Sequence, residues 1–475
     1  MKKILLSLVA LFAASTLLMQ AQTQDPAVYP LSPNGIDSLA NLFLNATSNV
    51  GGSIFPGGVT GDARGMTVTN NKMYFSNRTT TNPVVSSLVE VDGVTGAFLR
   101  NIVLPIDMWM EGTPSDTVPY LANDVQVDEQ GNIFVSNMVL DLRGNSGEPA
   151  HTFKINYVNV DADPVTYETV LNAVIPADWG LAYAYRVETF DVYGDILNGD
   201  GTILVPVSGT EPGAGDQVLK YNVVGGVVQN SLDPEFVALQ GFYPTTVTTA
   251  GAAPRVNIVD NTLFYHDGFN TYPSLYDMTG NVVDGFQNNV AATPLGTGQN
   301  GITEFEMNGK YYMIVASTNT DKTPPQAFDI FQFADANRSF ADMTFLYRFP
   351  EAGLGNTSNP VRTALPRVQV IDVGGVQKAR INVYAYRNGY GIYEFGPTQA
   401  LPIGEQTGSS FGATVKGYNV EFTQEVLAAT LFNVSGQKVK EVTNTKVLSA
   451  PAKGVYIVKA KLADGTEKAV KVLVK

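Results

Sequence analysis

Six positions, roughly sixty residues apart, carry side chains suited to holding an anion: Arg64, Asn123, Arg186, Arg255, Asn300 and Arg367. The planar fork of arginine meets two oxygens of a carboxylate or sulfate at once, and asparagine adds an amide donor. Four of the chain's twelve arginines fall on this recurring spot. Gathered around one opening, they would form a positive funnel, and an acidic glycan or a peptide carboxylate would be its ligand. The plainer use is pairing with acids close in sequence, Asp62, Asp124 and Glu188, to hold the repeated units in register.

Other chemistry is sparse. The two histidines, His151 and His266, lie in different repeats, too isolated for a Ser-His-Asp array or a histidine-rich metal site. His266, in Tyr265-His-Asp-Gly268, is read as an acid or base at a strand end or as a hydrogen-bonded loop histidine. Asn198-Gly-Asp-Gly-Thr202 has the look of a calcium loop, but Ile196 stands where an oxygen ligand is needed, so a hairpin turn is expected. No catalytic residue, metal or cofactor is assigned. The acidic residues are too many for sequence alone to single out the carboxylate pair of a glycosidase.

The elements that must position these groups form a repeat. First strands run from each of the six positions: Arg64–Val68, Asn123–Val127, Arg186–Val192, Arg255–Ile258, Asn300–Phe305 and Arg367–Val370. Asn, Asp and Gly follow, residues that accept the positive φ of tight hairpins. Second strands are apolar on both faces, as in Met73-Tyr-Phe75, Ile133-Phe-Val135 and Ile203-Leu-Val205, and so are covered on both faces. Third strands follow, for example Leu88–Val91 and Ile330–Phe333. Small antiparallel sheets repeated at this period predict an all-β chain and a β-propeller of six blades. Seven is the alternative, with a degenerate unit in 106–121 or 160–185. The last unit lacks an outer strand, which Ile36–Leu44 would supply, closing the ring and removing an exposed edge.

The ends carry routing information. Met1-Lys2-Lys3 followed by an apolar run to Met19 is the pattern of a cleavable secretory signal, read as residues 1–21. No later stretch is long and apolar enough to predict a membrane helix. The chain has no cysteine, which excludes disulfides, thiolate metal sites and a lipid-anchoring cysteine. After the propeller (22–397) and a linker (398–408), the tail (409–475) changes character: ten lysines face six acids after residue 400, against 18 basic and 38 acidic residues in the body. An acidic body argues against nucleic acid as a partner.

The tail reads Leu431-Phe-Asn-Val-Ser-Gly-Gln-Lys-Val439, then Lys453-Gly-Val-Tyr-Ile-Val-Lys459, then Lys471-Val-Leu-Val-Lys475, and these segments resemble a type IX secretion C-terminal sorting domain. The resemblance implies a small β-sandwich, the secretion machinery as partner, and a final place outside the cell or on its surface. The body resembles secreted Bacteroidota propellers of unknown function, a likeness of pattern that implies no activity. The function expected is a non-catalytic exported propeller binding a ligand or partner. The alternatives are a carbohydrate-active hydrolase or lyase using channel-facing residues, and a structural surface protein.

Overall fold

The computed structural model describes residues 36–43, 62–79, 85–109, 121–139, 152–173, 186–208, 217–240, 254–268, 273–285, 299–317, 327–349, 364–372, 377–386, 389–396, 413–433, 437–463 and 465–474. The proposed signal, His151, the linker 398–408, and residues 110–120 and 174–185 of the two stretches considered for a seventh unit lie outside them. Among the described residues there are strands, two short 3-10 turns and no α-helix. The chain divides into two compact units, Met1–Pro397 and Thr398–Lys475.

In the first unit, β1 (Ile36–Phe43) comes first in sequence. The first sheet holds β2 (Asp62–Thr69), β3 (Lys72–Arg78), β4 (Ser86–Asp92) and β5 (Phe98–Val103) in sequential antiparallel order. The second repeats the plan with β6 (Ala122–Val127), β7 (Ile133–Asn137), β8 (Phe153–Asn159) and β9 (Thr166–Ala173). In the third, β10 (Arg186–Val187) and β11 (Asp191–Gly194) share the inner edge of β12 (Gly201–Ser208), followed by β13 (Gln217–Val224), β14 (Val227–Val228) and β15 (Glu235–Ala238). The fourth holds β16 (Arg255–Ile258), β17 (Leu263–Asp267), β18 (Ser274–Asp277) and β19 (Val282–Gly285). The fifth holds β20 (Gln299–Met307), β21 (Lys310–Ser317), β22 (Ala327–Gln332) and β23 (Thr344–Phe349). The sixth is β24 (Ala364–Asp372), β25 (Gln377–Ala385) and β26 (Gly389–Phe395), completed by β1, which pairs antiparallel with β26 from Ile36↔Phe395 to Phe43↔Gly389.

The inner strand expected as continuous over Arg186–Val192 is in fact broken at Glu188–Phe190. Its backbone there bonds to the second sheet instead of to β12: Asn123 Nδ2 donates to the Glu188 carbonyl (2.5 Å) and the Phe190 N–H donates to Asp124 (3.4 Å). Where polar side chains of adjacent strands offer partners, the ladder gives way locally.

Second strands are largely buried on both faces, as their composition predicts, and apolar clusters of the described residues fill the spaces between consecutive sheets. Leu88, Trp109 and Val135 lie between the first and second. Phe153, Val187 and Tyr221 lie between the second and third, and Leu204, Val256 and Tyr276 between the third and fourth. Leu275, Met313 and Phe331 join the fourth to the fifth, and Ile330, Tyr393 and Phe395 the fifth to the sixth. Phe75, Tyr384 and Tyr390 then join the sixth to the first, with the Phe75 ring 5.3 Å from that of Tyr384 at 73°. The order is cyclic, and the inner strands β2, β6, β11, β16, β20 and β24 follow one another around an axis back to β2. Gly65 shows how close that approach is: a Cβ there would sit 2.5 Å from Asp124 Oδ1. The Ser76 hydroxyl accepts from the Gly65 N–H (2.8 Å) and donates to the Asn123 carbonyl (2.7 Å), pinning the same seam.

The second unit has its own core of Val420, Leu431, Tyr456, Val458, Val472 and Val474. Its strands are β27 (Ala413–Lys416), β28 (Asn419–Asn433), β29 (Lys438–Ser449), β30 (Gly454–Lys461) and β31 (Glu467–Val474), in the order β27-β28-β30-β31 with β29 also on β28. Along β31 Val472 and Val474 are buried while Leu473 is exposed, the period of a strand with one face covered.

Candidate functional site

Antiparallel pairing sets the start of each inner strand opposite the end of the second strand, as in Arg255↔Asp267 and Asp62↔Arg78. The polar residues of both therefore meet at one end of the sheets. The connections at that end are long in sequence, such as 241–253 and 286–298, and lie outside the described residues.

Here the structure places five of the six expected site residues. The Arg64 guanidinium lies 4.0 Å from Glu188 and stacks over the Tyr386 ring at 5.3 Å. Asn123 is buried against the Glu188 carbonyl, and Arg186 hydrogen-bonds the Glu188 carboxylate. Arg255 is buried 3.7 Å from Asp124. Arg367 reaches across the axis from the sixth sheet to the second, donating to Gln126 Oε1 at 2.9 Å, and also bonds the Pro366 carbonyl at 3.0 Å. Asn300 belongs to β20, and its side chain is outside the described residues, as is that of Asp62. Glu188 and Asp124, two of the acids considered as partners, are thus in contact with three of the four arginines.

Sequence reasoning missed the acids' own pattern. Asp124, Asp191 and Asp267 come from three consecutive sheets, and each accepts a hydrogen bond from the backbone of the next. Phe190 N–H donates to Asp124 (3.4 Å), Ile258 N–H to Asp191 (2.7 Å) and Gly301 N–H to Asp267 (2.6 Å). All three are buried. Burial pushes Asp191 up to about 6, held back by the Ile258 N–H and the charge of Arg367. Burial pushes Asp267 up to about 7, held back by the Gly301 N–H and Arg255. Burial likewise pulls Arg367 below the usual guanidinium value, against the opposing pull of Asp191 and Asp124.

A narrow cavity opens among these groups, walled by Gln126, Arg255, Asn257, Tyr265, Asp267 and Arg367, with Gly301 beside Asp267. A carboxyl group poised near neutrality can both give and take a proton, and a guanidinium alongside it can hold an oxyanion. His266 takes no part in such chemistry. It is a fully buried strand residue, packed edge-on to Tyr276 at 6.4 Å, and burial drives it down to about 3, so it is neutral in ordinary conditions. That corrects both sequence readings of it, as an acid–base group and as a loop histidine. The signal lost was its setting: Leu263–Asp267 is an inner-layer strand with both faces covered. Among the described residues no group of three or more His, Asp or Glu is placed to hold a metal ion.

No protein-family model matches the chain, and no curated protein does. Among solved structures it resembles a DUF4623 family protein from Bacteroides eggerthii, at 16% identity over 71% of each chain with a TM-score of 0.52. That likeness is one of fold. It also aligns with a GH43 endo-arabinanase from Bacillus licheniformis (11% identity, 58% of this chain and 94% of that one, TM-score 0.32). An exo-1,5-α-L-arabinanase from a bovine ruminal metagenomic library aligns at 13% identity over 60% and 97%, with a TM-score of 0.33. Those scores carry no residue of either enzyme onto this chain. The expectation of a non-catalytic binding propeller built on a ring of arginines is nevertheless corrected by the axis itself, where buried carboxylates converge beside the guanidinium groups and the arginines are not unopposed.

Proposed function

We propose that the protein is a carbohydrate-active enzyme that cleaves glycosidic bonds at the axial cavity, with Asp267 as the proton-donating acid. The observation that carries this reading is the position of Asp267 on the cavity wall beside Arg255 and Arg367, on the same axis as Asp191 and Asp124. A glycosidase needs one carboxyl that stays protonated to near neutrality and a second that is ionised. Burial supplies the first at Asp267, and Asp191, raised less, supplies the second. The cyclic order of the six apolar seams supports reading the first unit as a six-bladed propeller.

The reading extends to location. The chain acts outside the cytoplasm, exported by residues 1–21, with the tail 409–475 as a small β-sandwich that engages a type IX secretion route. The cationic-apolar start and the three tail motifs support it.

The test is reducing-sugar release by the purified chain from a panel of arabinans, galactans and uronate-containing polysaccharides. Asp267→Asn should lower cleavage by about 100-fold or more while leaving the circular dichroism spectrum and Tm in place, since an amide oxygen can still accept from Gly301. Full activity in a folded Asp267→Asn protein, or no cleavage of any substrate by the wild type, overturns the proposal.

A further inference from the structure

Asp267 is only 2% exposed, and its hydrogen bonding is half complete. The Gly301 N–H donates to Oδ2 at 2.6 Å, and among the described residues no group bonds to Oδ1. A buried carboxyl oxygen without a partner is costly, whether it holds charge or a proton. Because Oδ2 already accepts, the proton of the neutral acid belongs on Oδ1, where it needs an acceptor of its own. Asp267 lines the axial cavity, and Oδ1 is the atom it has left to offer there.

The cavity has room for about one water molecule. A sugar ring therefore stays outside it and cannot touch Asp267 directly. Charge decides what single small guest the cavity takes. Arg367, from β24, shares the wall. It gives one N–H to the Pro366 carbonyl (3.0 Å) and one to Gln126 Oε1 (2.9 Å), two of the five that a guanidinium carries. A chloride would suit Arg367 but meet Asp267, and a metal cation would suit Asp267 but meet Arg255 and Arg367. Aspartates attend both guanidinium groups, Asp124 at 3.7 Å from Arg255 and Asp191 acting on Arg367, so the wall has no large net charge to draw an ion. Water suits every partner: it accepts from a guanidinium and bonds a carboxyl in either protonation state.

We propose that the axial cavity is a binding site for one ordered water, held between Asp267 and Arg367, and that this water relays the proton of Asp267 to the glycosidic oxygen of a substrate at the mouth. This rests on the glycosidase reading and lets Asp267 act from a place no sugar can enter. In the step, the Asp267 O–H proton passes to the water and the water gives one of its own protons to the leaving oxygen. The bond from that oxygen to the anomeric carbon breaks, its electron pair going to the oxygen, and a second water from solvent captures the carbon. Arg367 is a positioning residue. With one lone pair of the water held by Arg367 and the other by the Asp267 O–H, both water hydrogens are turned outward.

The test begins with a high-resolution crystal structure of the wild-type chain, which should show a water within hydrogen-bond distance of Asp267 Oδ1 and an Arg367 nitrogen. No water there, or one that does not reach Asp267, overturns the site. On a glycan that the chain cleaves, kcat across mixtures of H2O and D2O should follow a bowed line, because two protons move together; a straight line, the mark of direct transfer, overturns the relay. Arg367→Met should lower kcat about tenfold with KM unchanged, and Arg367→Lys, which keeps a donor, should recover most of the loss. Equal loss in both variants overturns the positioning role. Should Arg367→Met fail to fold, the wild-type structure and the isotope plot still decide. A chain that holds the water and cleaves no glycan keeps the site and overturns the glycosidase reading, so the two failures are told apart.

Discussion

The seams of the ring are tied in two chemically different ways. From the second sheet to the fifth, each seam carries a buried aspartate accepting a backbone N–H from the next sheet: Asp124, Asp191, Asp267. The seam between the sixth and first sheets is tied instead by donors whose charge does not change near neutrality, among them Arg380 Nη1, which donates to Asn71 Oδ1 (2.7 Å). Tyr384 Oη donates to the Ala63 carbonyl (2.6 Å), Tyr390 Oη to that of Gly96 (2.8 Å), and Asn382 Nδ2 to that of Gly93 (3.0 Å). Either chemistry can join two sheets. The difference is that a carboxylate must shed the hydration of a full charge to do it and responds to pH, whereas a phenol or amide gives up far less hydration and does not titrate near neutrality. Titratable ties gathered on one side of the ring, around a cavity, look like a site, and ties of fixed charge on the other side look like a clasp.

The comparison breaks most directly at Phe75, packed between Tyr384 and Tyr390 in the seam of fixed charge. Phe75→Ala should cost about 3–5 kcal/mol, and urea unfolding should give nearly the same loss at pH 5 and pH 8. A loss that varies strongly with pH would erase the distinction between the seams. Next in size is the pH slope of the wild type. Asp191 and Asp267 start from 3.8 and are raised to about 6 and about 7 in the folded chain, so the native state holds more protons than the unfolded one between those values. Their contribution is therefore complete below about pH 4 and is lost as pH rises toward 7. Each tenfold gain in proton affinity on folding corresponds to about 1.4 kcal/mol, which bounds the combined loss at roughly 7 kcal/mol; relaxation and water entry around buried carboxyls bring it down to a few. Denaturant midpoints measured from pH 4 to pH 8 should show it, and Asp191→Asn with Asp267→Asn should flatten it. The smallest effect is expected for Tyr384→Phe, which leaves the buried Ala63 carbonyl without its phenolic donor. About 1–2 kcal/mol, independent of pH below 8, should appear in the same measurement.

How much of this was legible follows from what each residue competes with. Turn residues and doubly apolar strands such as Met73-Tyr-Phe75 are set by local backbone and burial preferences, so the repeat could be read directly. Arg255 and Arg367 stood out because arginine is scarce in the body and recurs at strand starts. Asp191 and Asp267 did not, because nothing local separates them from the other acids. Their character comes from burial and from N–H groups more than thirty residues away, Ile258 and Gly301. The break at Glu188–Phe190 was hidden for the same reason: Val187 and Val192 alternate as if in one strand, while the partners that interrupt it, Asn123 and Asp124, belong to another sheet.

The pairing of β1 with β26 also fixes an order of events. The first described strand to be synthesised finds its place beside the last strand of its unit, so Ile36–Phe43 must wait with both edges open until Phe395 has been made. Circularisation therefore cannot precede synthesis of β26, and a shortened chain that stops before β26 would leave its opening strand without its partner.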